Sequence, residues 1–205
     1  MPSPLAHKPT LTGPRIQLRP FNDQAIEAML QILQEPEVLV KTGSVSSSDQ
    51  KQDLDQEAVR AWYSRRNNKK NRLDLAIYIP ETDQYVGEVV FNEYDARNKS
   101  VNYRIAIGQG GRNRGYGTEA TKLMVDYGFE QLGLNRIELE VLDFNARARH
   151  VYTSCGFVAE GRRRQAYLLD GQYHDAVLKS VLRSDWEEAR SLAGHLTLGP
   201  NEVEI

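Results

Sequence analysis

The chain has 205 residues, enough for one folded domain, and its 40% hydrophobic and 26% charged residues are typical of a globular protein. The formal net charge of −2 opposes broad nucleic-acid binding, and no apolar run is long enough to span a bilayer. The single Cys155 excludes an internal disulfide and a cysteine metal site, which favours a cytoplasmic protein.

The first half of the chain predicts strands and helices in alternation. Residues 15–20 alternate apolar and polar side chains, which predicts a strand. Asp23 is the expected cap of a helix that ends near Gln34, and a second helix is expected over residues 54–65. Further strands are predicted over residues 73–80, 85–94 and 100–107, with a hairpin turn at 95–99.

The second half predicts two units of a helix and a strand, followed by a hairpin. A helix is expected from about residue 115 to 131, with Gly133 as a C-cap. The remaining predictions are a strand at 136–141, a short helix at 145–155, strands at 157–169 and 173–182, and a helical appendage from Trp186. This order favours an α+β or mixed-sheet fold.

One segment, Arg112-Asn113-Arg114-Gly115-Tyr116-Gly117-Thr118, leads into the helix predicted at residue 115. The first amides of a helix lack intrahelical partners and the helix dipole adds partial positive charge, so the turn favours a phosphate group. The spacing Arg-x-x-Gly-x-Gly matches neither a P-loop nor a Rossmann turn. A nucleoside triphosphate and NAD are therefore disfavoured ligands.

A second motif follows the strand at 136–141. It reads Asn145-Ala146-Arg147-Ala148-Arg149-His150-Val151-Tyr152 and is closed by Cys155-Gly156-Phe157. Both motifs, in this order, resemble those of the GNAT superfamily of N-acetyltransferases, and Leu18-Arg19-Pro20 with residues 115–120 is similar to its RimJ/RimL branch. The resemblance covers roughly residues 13–186.

The resemblance implies one α+β domain over residues 1–205, with a C-terminal appendage at about 187–205. Its central sheet is expected to be twisted and mostly antiparallel, with about seven strands splayed in the middle and about four flanking helices.

The resemblance also implies acetyl-CoA as co-substrate. The two glycines let backbone N–H groups approach the CoA pyrophosphate, while Arg112 and Arg114 supply charge at the rim. Pantetheine is expected along residues 103–107, where an N–H polarises the thioester carbonyl. The expected cofactor-binding residues are Ile105, Ile107, Arg112, Asn113, Arg114, Gly115, Tyr116, Gly117, Thr118, Asn145 and Tyr152.

A primary amine attacks the thioester directly, so no enzyme nucleophile is required. The family uses the tyrosine that matches Tyr152 as the general acid, and a base must first deprotonate the attacking ammonium. The family often carries a Glu where this chain has residues 100–102, but no Glu occurs there. Four glutamates on the neighbouring strands remain as candidate bases: Glu88, Glu93, Glu138 and Glu140. The predicted catalytic set takes one from each strand, Glu88 and Glu138, beside Tyr152.

The acceptor stays open among a protein N-terminus, a polyamine, an amino acid and a drug. The loop between the first two helices and the final hairpin is expected to form its cleft, lined by Lys41, residues 46–48 and Tyr63. The alternative function is a non-catalytic acyl-CoA-binding or regulatory module on the same fold.

Few other partners are indicated. The four histidines, His7, His150, His174 and His195, do not recur at ligand spacing, so no metal site is expected. We expect a monomer or a homodimer without a membrane or nucleic-acid partner.

Overall fold

The computed structural model describes residues 3–50 and 55–197, whose strands form one eight-stranded sheet. Its spatial order is β1-β2-β3-β4-β5-β6-β8-β7. In chain order the strands are β1 (Leu11–Thr12), β2 (Gln17–Arg19), β3 (Leu73–Ile79), β4 (Gln84–Asp95), β5 (Ser100–Ile107), β6 (Arg136–Leu142), β7 (Val158–Leu169) and β8 (Gln172–Leu182).

Helices cover both faces of the sheet. They are α1 (Asp23–Ile32), α2 (Pro36–Lys41), α3 (Gln56–Ser64), α4 (Tyr116–Glu130), α5 (Ala146–Ser154) and α6 (Arg183–Thr197). The core residues Ala120, Met124 and Phe129 of α4 pack on one face, and Met29 of α1 and Tyr63 of α3 pack on the other. Among the described helices, none is long and apolar enough to cross a membrane.

The α+β fold with a mostly antiparallel sheet is confirmed, and the element counts differ slightly from the prediction. The described residues contain eight strands and six α-helices, against about seven and about four predicted. Short elements explain the difference. β1 has two residues, and α2 has six residues beginning at Pro36. Such lengths are too short to show a period in sequence.

The helix caps refine the predicted boundaries. Asn22, rather than Asp23, caps α1, because its side chain accepts a hydrogen bond from the Ala25 N–H at 2.9 Å. Asp55 caps α3 in the same way at 3.0 Å. The predicted start of this helix at Leu54 lies outside the described residues.

The last helix begins at Arg183, three residues before the predicted start. Trp186 holds it against α4, since the indole packs at a tilt against Phe129 with ring centroids 5.5 Å apart and its Nε1–H donates to Asp126 at 2.6 Å. Residues 198–205 of the predicted appendage lie outside the described residues.

β5 and β6 are parallel neighbours that separate after a short pairing. Ser100, Val101 and Asn102 pair with residues 136–138 of β6. Beyond that point, β5 stays paired with β4 as far as Ile107, and β6 stays paired with β8 as far as Leu142. The sheet therefore opens into a gap between residues 103–107 and 139–142.

Candidate active site

A cavity of about 600 Å³ occupies the gap between β5 and β6. Residues 103–107 of β5 and 140–142 of β6 form two of its walls. On one side lie the turn before α4 and part of α5, called here the loop side: Gly111, Arg112, Asn113, Gly115, Gly117, Thr118, Asn145, Ala148 and Tyr152. On the other lie charged and aromatic side chains, called here the charged side: Trp62, Tyr63, Arg66, Arg72, Glu88, Arg104 and Glu140.

The loop side is a helix N-terminus without a side-chain cap. Gly115 is the N-cap of α4 and has a φ of 80°, a left-handed conformation that favours glycine. The first intrahelical bond of α4 is made by the Glu119 N–H to the Gly115 carbonyl. Within the described residues, the N–H groups of Tyr116, Gly117 and Thr118 therefore have no acceptor, which suits an anion.

Two further loop residues have roles that differ from the predicted ones. The Arg114 carbonyl accepts from Arg15 at 2.8 Å, and neither Arg114 nor Tyr116 lines the cavity. Tyr116 is buried, and its ring packs in the core under the Arg15 guanidinium. The backbone of both residues thus belongs to the loop, while their side chains do not line the cavity.

Arg112 lines the cavity, but its charge is already engaged. Its guanidinium donates from Nε to the Ile107 carbonyl at 2.9 Å and pairs with Glu37 at 2.8 Å and with Glu35. Glu37 also pairs with Arg147 of α5 at 3.0 Å. Arg112 thus lies at the rim as expected, but two carboxylates at the start of α2 offset the positive charge that it was expected to supply.

The β5 wall presents free backbone groups to the cavity. The Gly108 N–H donates to the Val86 carbonyl of β4 at 2.9 Å. Since N–H directions alternate along a strand, those of Ile107 and Ile105 face the gap instead. Both residues line the cavity, as predicted for the cofactor-binding wall.

Asn145 and Tyr152 both line the cavity from α5. The Asn145 side chain caps the helix by accepting from the Ala148 N–H at 3.2 Å. The Tyr152 ring lies 6.3 Å from the Tyr103 ring and 5.7 Å from the Phe157 ring. Burial raises the pKa of Tyr152 far above its ordinary value, and the Arg104 charge opposes the shift. The phenol therefore keeps its proton at neutral pH.

Glu88 of β4 is a carboxylate on the charged side. Its Oε2 is buried and has no hydrogen-bond partner among the described residues. Burial raises the pKa of this carboxyl to about 7 and the Asp74 charge adds to the shift, while the Tyr63 hydroxyl and Arg104 oppose it. A carboxyl with a pKa near neutrality can accept a proton and release it again.

The other three candidate bases are placed differently. Glu138, a predicted catalytic residue, is 48% exposed, pairs with Arg136 at 2.7 Å and does not line the cavity. Glu93 is exposed, has a φ of 53° and also lies outside the cavity wall. Glu140 lines the cavity but pairs with Arg163 at 2.6 Å.

The charged side contains residues that the sequence motifs did not identify. Arg66 and Arg72 both pair with the buried Asp74, at 3.0 and 2.7 Å. Arg104 occupies a mid-strand position between the apolar Tyr103 and Ile105. An arginine among the apolar residues of this strand was the feature of the sequence that could have identified Arg104 as a candidate site residue.

The loop after α2 packs against the final hairpin, as expected for one wall of the cavity. The Ser48 N–H donates to Asp170 at 2.8 Å, and the Tyr167 hydroxyl donates to the Val45 carbonyl. Of the predicted lining residues, Lys41 and Tyr63 line the cavity. Residues 46–48 do not line it.

Cys155 lies close to the backbone of α4. The Cys155 Sγ lies 3.6 Å from the Thr118 carbonyl oxygen, and burial raises the pKa of this thiol, so the reactive thiolate is disfavoured. No group of three or more His, Cys, Asp or Glu side chains in the described ranges is placed to hold a metal ion.

Comparisons with known proteins agree with this geometry. The family model of the acetyltransferase (GNAT) domain matches residues 15–158. The N-acetyltransferase p20 of Bacillus licheniformis is 28% identical over 177 residues, which cover 86% of this chain and 98% of that protein. Spermidine N(1)-acetyltransferase of Escherichia coli K12 is 28% identical over 124 residues, 60% of this chain and 67% of that one.

A solved structure shares the fold. The spermidine N-acetyltransferase of Vibrio cholerae, crystallised with CoA and spermine, superposes with a TM-score of 0.75 at 19% identity. The match covers 85% of this chain and 99% of that one. With the family model matched over most of the chain, and with the splayed sheet and glycine turn in place, this protein belongs to the GNAT acetyltransferase family.

Proposed function

We propose that this protein transfers the acetyl group of acetyl-CoA to a primary amine by direct attack. The observation that carries the proposal is the buried Glu88 Oε2, which has no partner in the described chain and shares a cavity with Tyr152. A carboxylate oxygen that lacks a donor fits an incoming ammonium, and a buried phenol fits the opposite task of giving a proton.

The donor is held by backbone groups. The three free N–H groups at the start of α4 bind the CoA pyrophosphate, and Gly117 keeps that approach open. Pantetheine pairs with β5 along the gap, and the N–H of Ile105 or Ile107 donates to the thioester oxygen. This donor is strongest for the tetrahedral oxyanion, where negative charge develops.

The reaction then involves three proton transfers and the transfer of one acyl group. Glu88 takes a proton from the acceptor ammonium, and the free amine attacks the thioester carbon to form a C–N bond. The tetrahedral intermediate collapses as the C–S bond breaks. Tyr152 donates its proton to the leaving CoA thiolate, and the second amine proton leaves to solvent as the amide forms. Glu88 then releases its proton to solvent and Tyr152 takes one up, which restores both residues for the next cycle.

The broader class of acceptor follows from the relatives, which include spermidine acetyltransferases and a ribosomal N-acetyltransferase by name. Protein N-termini, polyamines, amino acids and drugs all present the required amine. Membership of the RimJ/RimL branch, a cytoplasmic location and a monomeric or homodimeric state stay predictions.

The test is CoA thiol release from acetyl-CoA over a panel of peptides, polyamines, amino acids and aminoglycosides. We expect turnover with at least one class. Glu88→Gln should lower kcat about a hundredfold or more, because it removes the base. Calorimetry should show acetyl-CoA binding within about twofold of the parent protein, since Glu88 lies off the loop side.

Glu138→Gln is the matched control, an identical change on β6, which β5 separates from β4, at a residue that does not line the cavity. It should keep the parent rate. Tight acetyl-CoA binding with no turnover of any amine would instead favour the non-catalytic acyl-CoA-binding module.

A further inference from the structure

Most of the charged side chains that line the cavity are paired, and the unpaired charges are unequally distributed. Glu37 is paired with Arg112 and Arg147, and Glu140 is paired with Arg163. Among the carboxylates that line the cavity in the described chain, Glu88 alone has no ion pair. An acceptor with several positive charges could therefore place its reactive ammonium against Glu88, but no unpaired carboxylate would remain in the cavity for a second ammonium.

Most of the cations that line the cavity also have partners. Arg66 and Arg72 share the buried Asp74, and the Lys41 Nζ donates to the Phe144 carbonyl at 3.3 Å. Arg104 differs from them. It is exposed on the cavity wall, and within the described residues its guanidinium has neither a hydrogen-bond nor an ion-pair partner.

Arg104 stands beside Glu88 on one face of the sheet. In the register of β4 and β5, Val90 is opposite Arg104 and Ala106 is opposite Glu88. Residues opposite one another share a face, so Glu88 and Arg104 are diagonal neighbours, with backbones about 7 Å apart. The Arg104 charge also acts on Tyr152, whose pKa it lowers against the larger effect of burial. The free guanidinium is thus a neighbour of the candidate base, and it lines the same cavity as the candidate acid.

We propose that the acceptor is an α-amino carboxylate, whose carboxylate Arg104 binds while its ammonium faces Glu88. This inference rests on the proposed function and names its substrate class. A guanidinium has a planar fork of N–H donors that matches a carboxylate in a bidentate pair. An α-amino acid carries an ammonium and a carboxylate close together. Glu88 and Arg104 present the two complementary charges, a carboxylate and a guanidinium, as neighbours.

The same arrangement disfavours two alternatives. A polyamine brings a second ammonium toward Arg104, and like charges at short range repel. A protein N-terminus presents a peptide carbonyl where the carboxylate would lie, so Arg104 would keep an unpaired charge. This chain would then differ in acceptor from the spermidine acetyltransferases to which it is similar.

The experiment compares free L-amino acids with their α-carboxamides and with spermidine, by thiol release under saturating acetyl-CoA. The carboxamide is the smallest mimic of a protein N-terminus, and its amine is less basic, so chemistry alone favours it. We expect kcat/KM for the amino acid to exceed that for its carboxamide about thirtyfold or more. Arg104→Gln should reduce this ratio to near one, and Arg104→Lys should restore part of it.

Arg97→Gln is the control, because Arg97 lies in the turn at the far end of the same hairpin and does not line the cavity. It should leave the ratio unchanged. A carboxamide acetylated as fast as the amino acid, or spermidine as the best acceptor, would overturn the inference while leaving the proposed function intact. No turnover of any amine would overturn the proposed function together with the inference.

Discussion

The loop side and the charged side of the cavity are built from different groups. On the loop side, the binding groups are backbone amides at the start of α4, and Gly115 and Gly117 are needed for their shape rather than for a functional group. On the charged side, the groups are side chains from β4, β5, β6 and the α3 region, namely Tyr63, Glu88, Arg104 and Glu140.

Under the proposed function, the loop side holds the acetyl donor and the charged side holds the acceptor. Backbone amides are present in every sequence that folds this way, so they suit a donor that the whole family shares. Side chains change with each substitution, so they suit an acceptor that varies between members. The following predictions test this division, from the largest expected effect to the smallest.

Gly117→Trp should abolish the donor function of the loop side. A Cβ at this position would lie 3.1 Å from the Ile107 Cδ1, and an indole would fill the approach to the free amides. We expect acetyl-CoA affinity, measured by calorimetry, to fall about a hundredfold or more. Gly161→Trp is the control, since no atom lies within 4 Å of its added Cβ. Unchanged acetyl-CoA binding in Gly117→Trp would show that the loop is not the pyrophosphate site.

Tyr152→Phe should separate binding from chemistry. The ring contacts with Tyr103 and Phe157 are kept while the acidic proton is lost. We expect kcat to fall about tenfold to a hundredfold, with the acetyl-CoA dissociation constant nearly unchanged. Steady-state kinetics and calorimetry on the same preparation measure both. Equal losses in the two would assign Tyr152 a packing role.

The pH dependence of kcat/KM should follow the ionisation of Glu88 on the charged side. Burial raises the pKa of Glu88 to about 7, and the base must be ionised, so protonation below that pH removes activity. The value of kcat/KM should therefore fall about tenfold per pH unit below neutrality and level off above it. Measurements from pH 5.5 to 8 on an acceptor that stays protonated test this. A profile that is flat through pH 7 would argue against Glu88.

Glu37→Gln should strengthen acetyl-CoA binding, in contrast to Gly117→Trp, and by a smaller factor. Glu37 pairs with Arg112 at 2.8 Å and Arg147 at 3.0 Å, so its removal releases positive charge near the loop side. We expect acetyl-CoA to bind about twofold to fivefold more tightly, with a steeper dependence on salt. Glu140→Gln, which frees Arg163 on the other wall, is the matched control. Weaker acetyl-CoA binding in Glu37→Gln would mean that α2 supports the loop rather than competing with the donor.

The local geometry of the loop side could be predicted from the sequence because its signals are local. A glycine at a left-handed φ, an uncapped helix start and the N-cap of α5 each occupy a few consecutive residues, Gly115 to Thr118 and Asn145 to Ala148. The paired state of Arg112 could not be predicted, because Glu35 and Glu37 lie more than 70 residues earlier in the chain.

Whether a glutamate of β6 lines the cavity depends on how far β6 stays paired with β5. Glu138 and Glu140 occupy equivalent positions in an alternating strand, and both have their side chains on the same face. Glu138 lies where β5 and β6 are still paired, and Glu140 lies beyond the point where they separate. Where two strands part is set by the packing of the whole sheet, so the local pattern of β6 does not encode it.

The brief pairing of β5 with β6 has a thermodynamic consequence. The backbone groups of β5 beyond Asn102 complete no strand pair with β6 in the protein by itself. A ligand that pairs with them binds the folded chain and not the unfolded one, so it raises the free energy of unfolding by mass action, by about 2.7 kcal/mol at a concentration a hundred times its dissociation constant. The melting temperature should therefore climb with acetyl-CoA concentration, and the ligand then acts as a missing strand of the sheet.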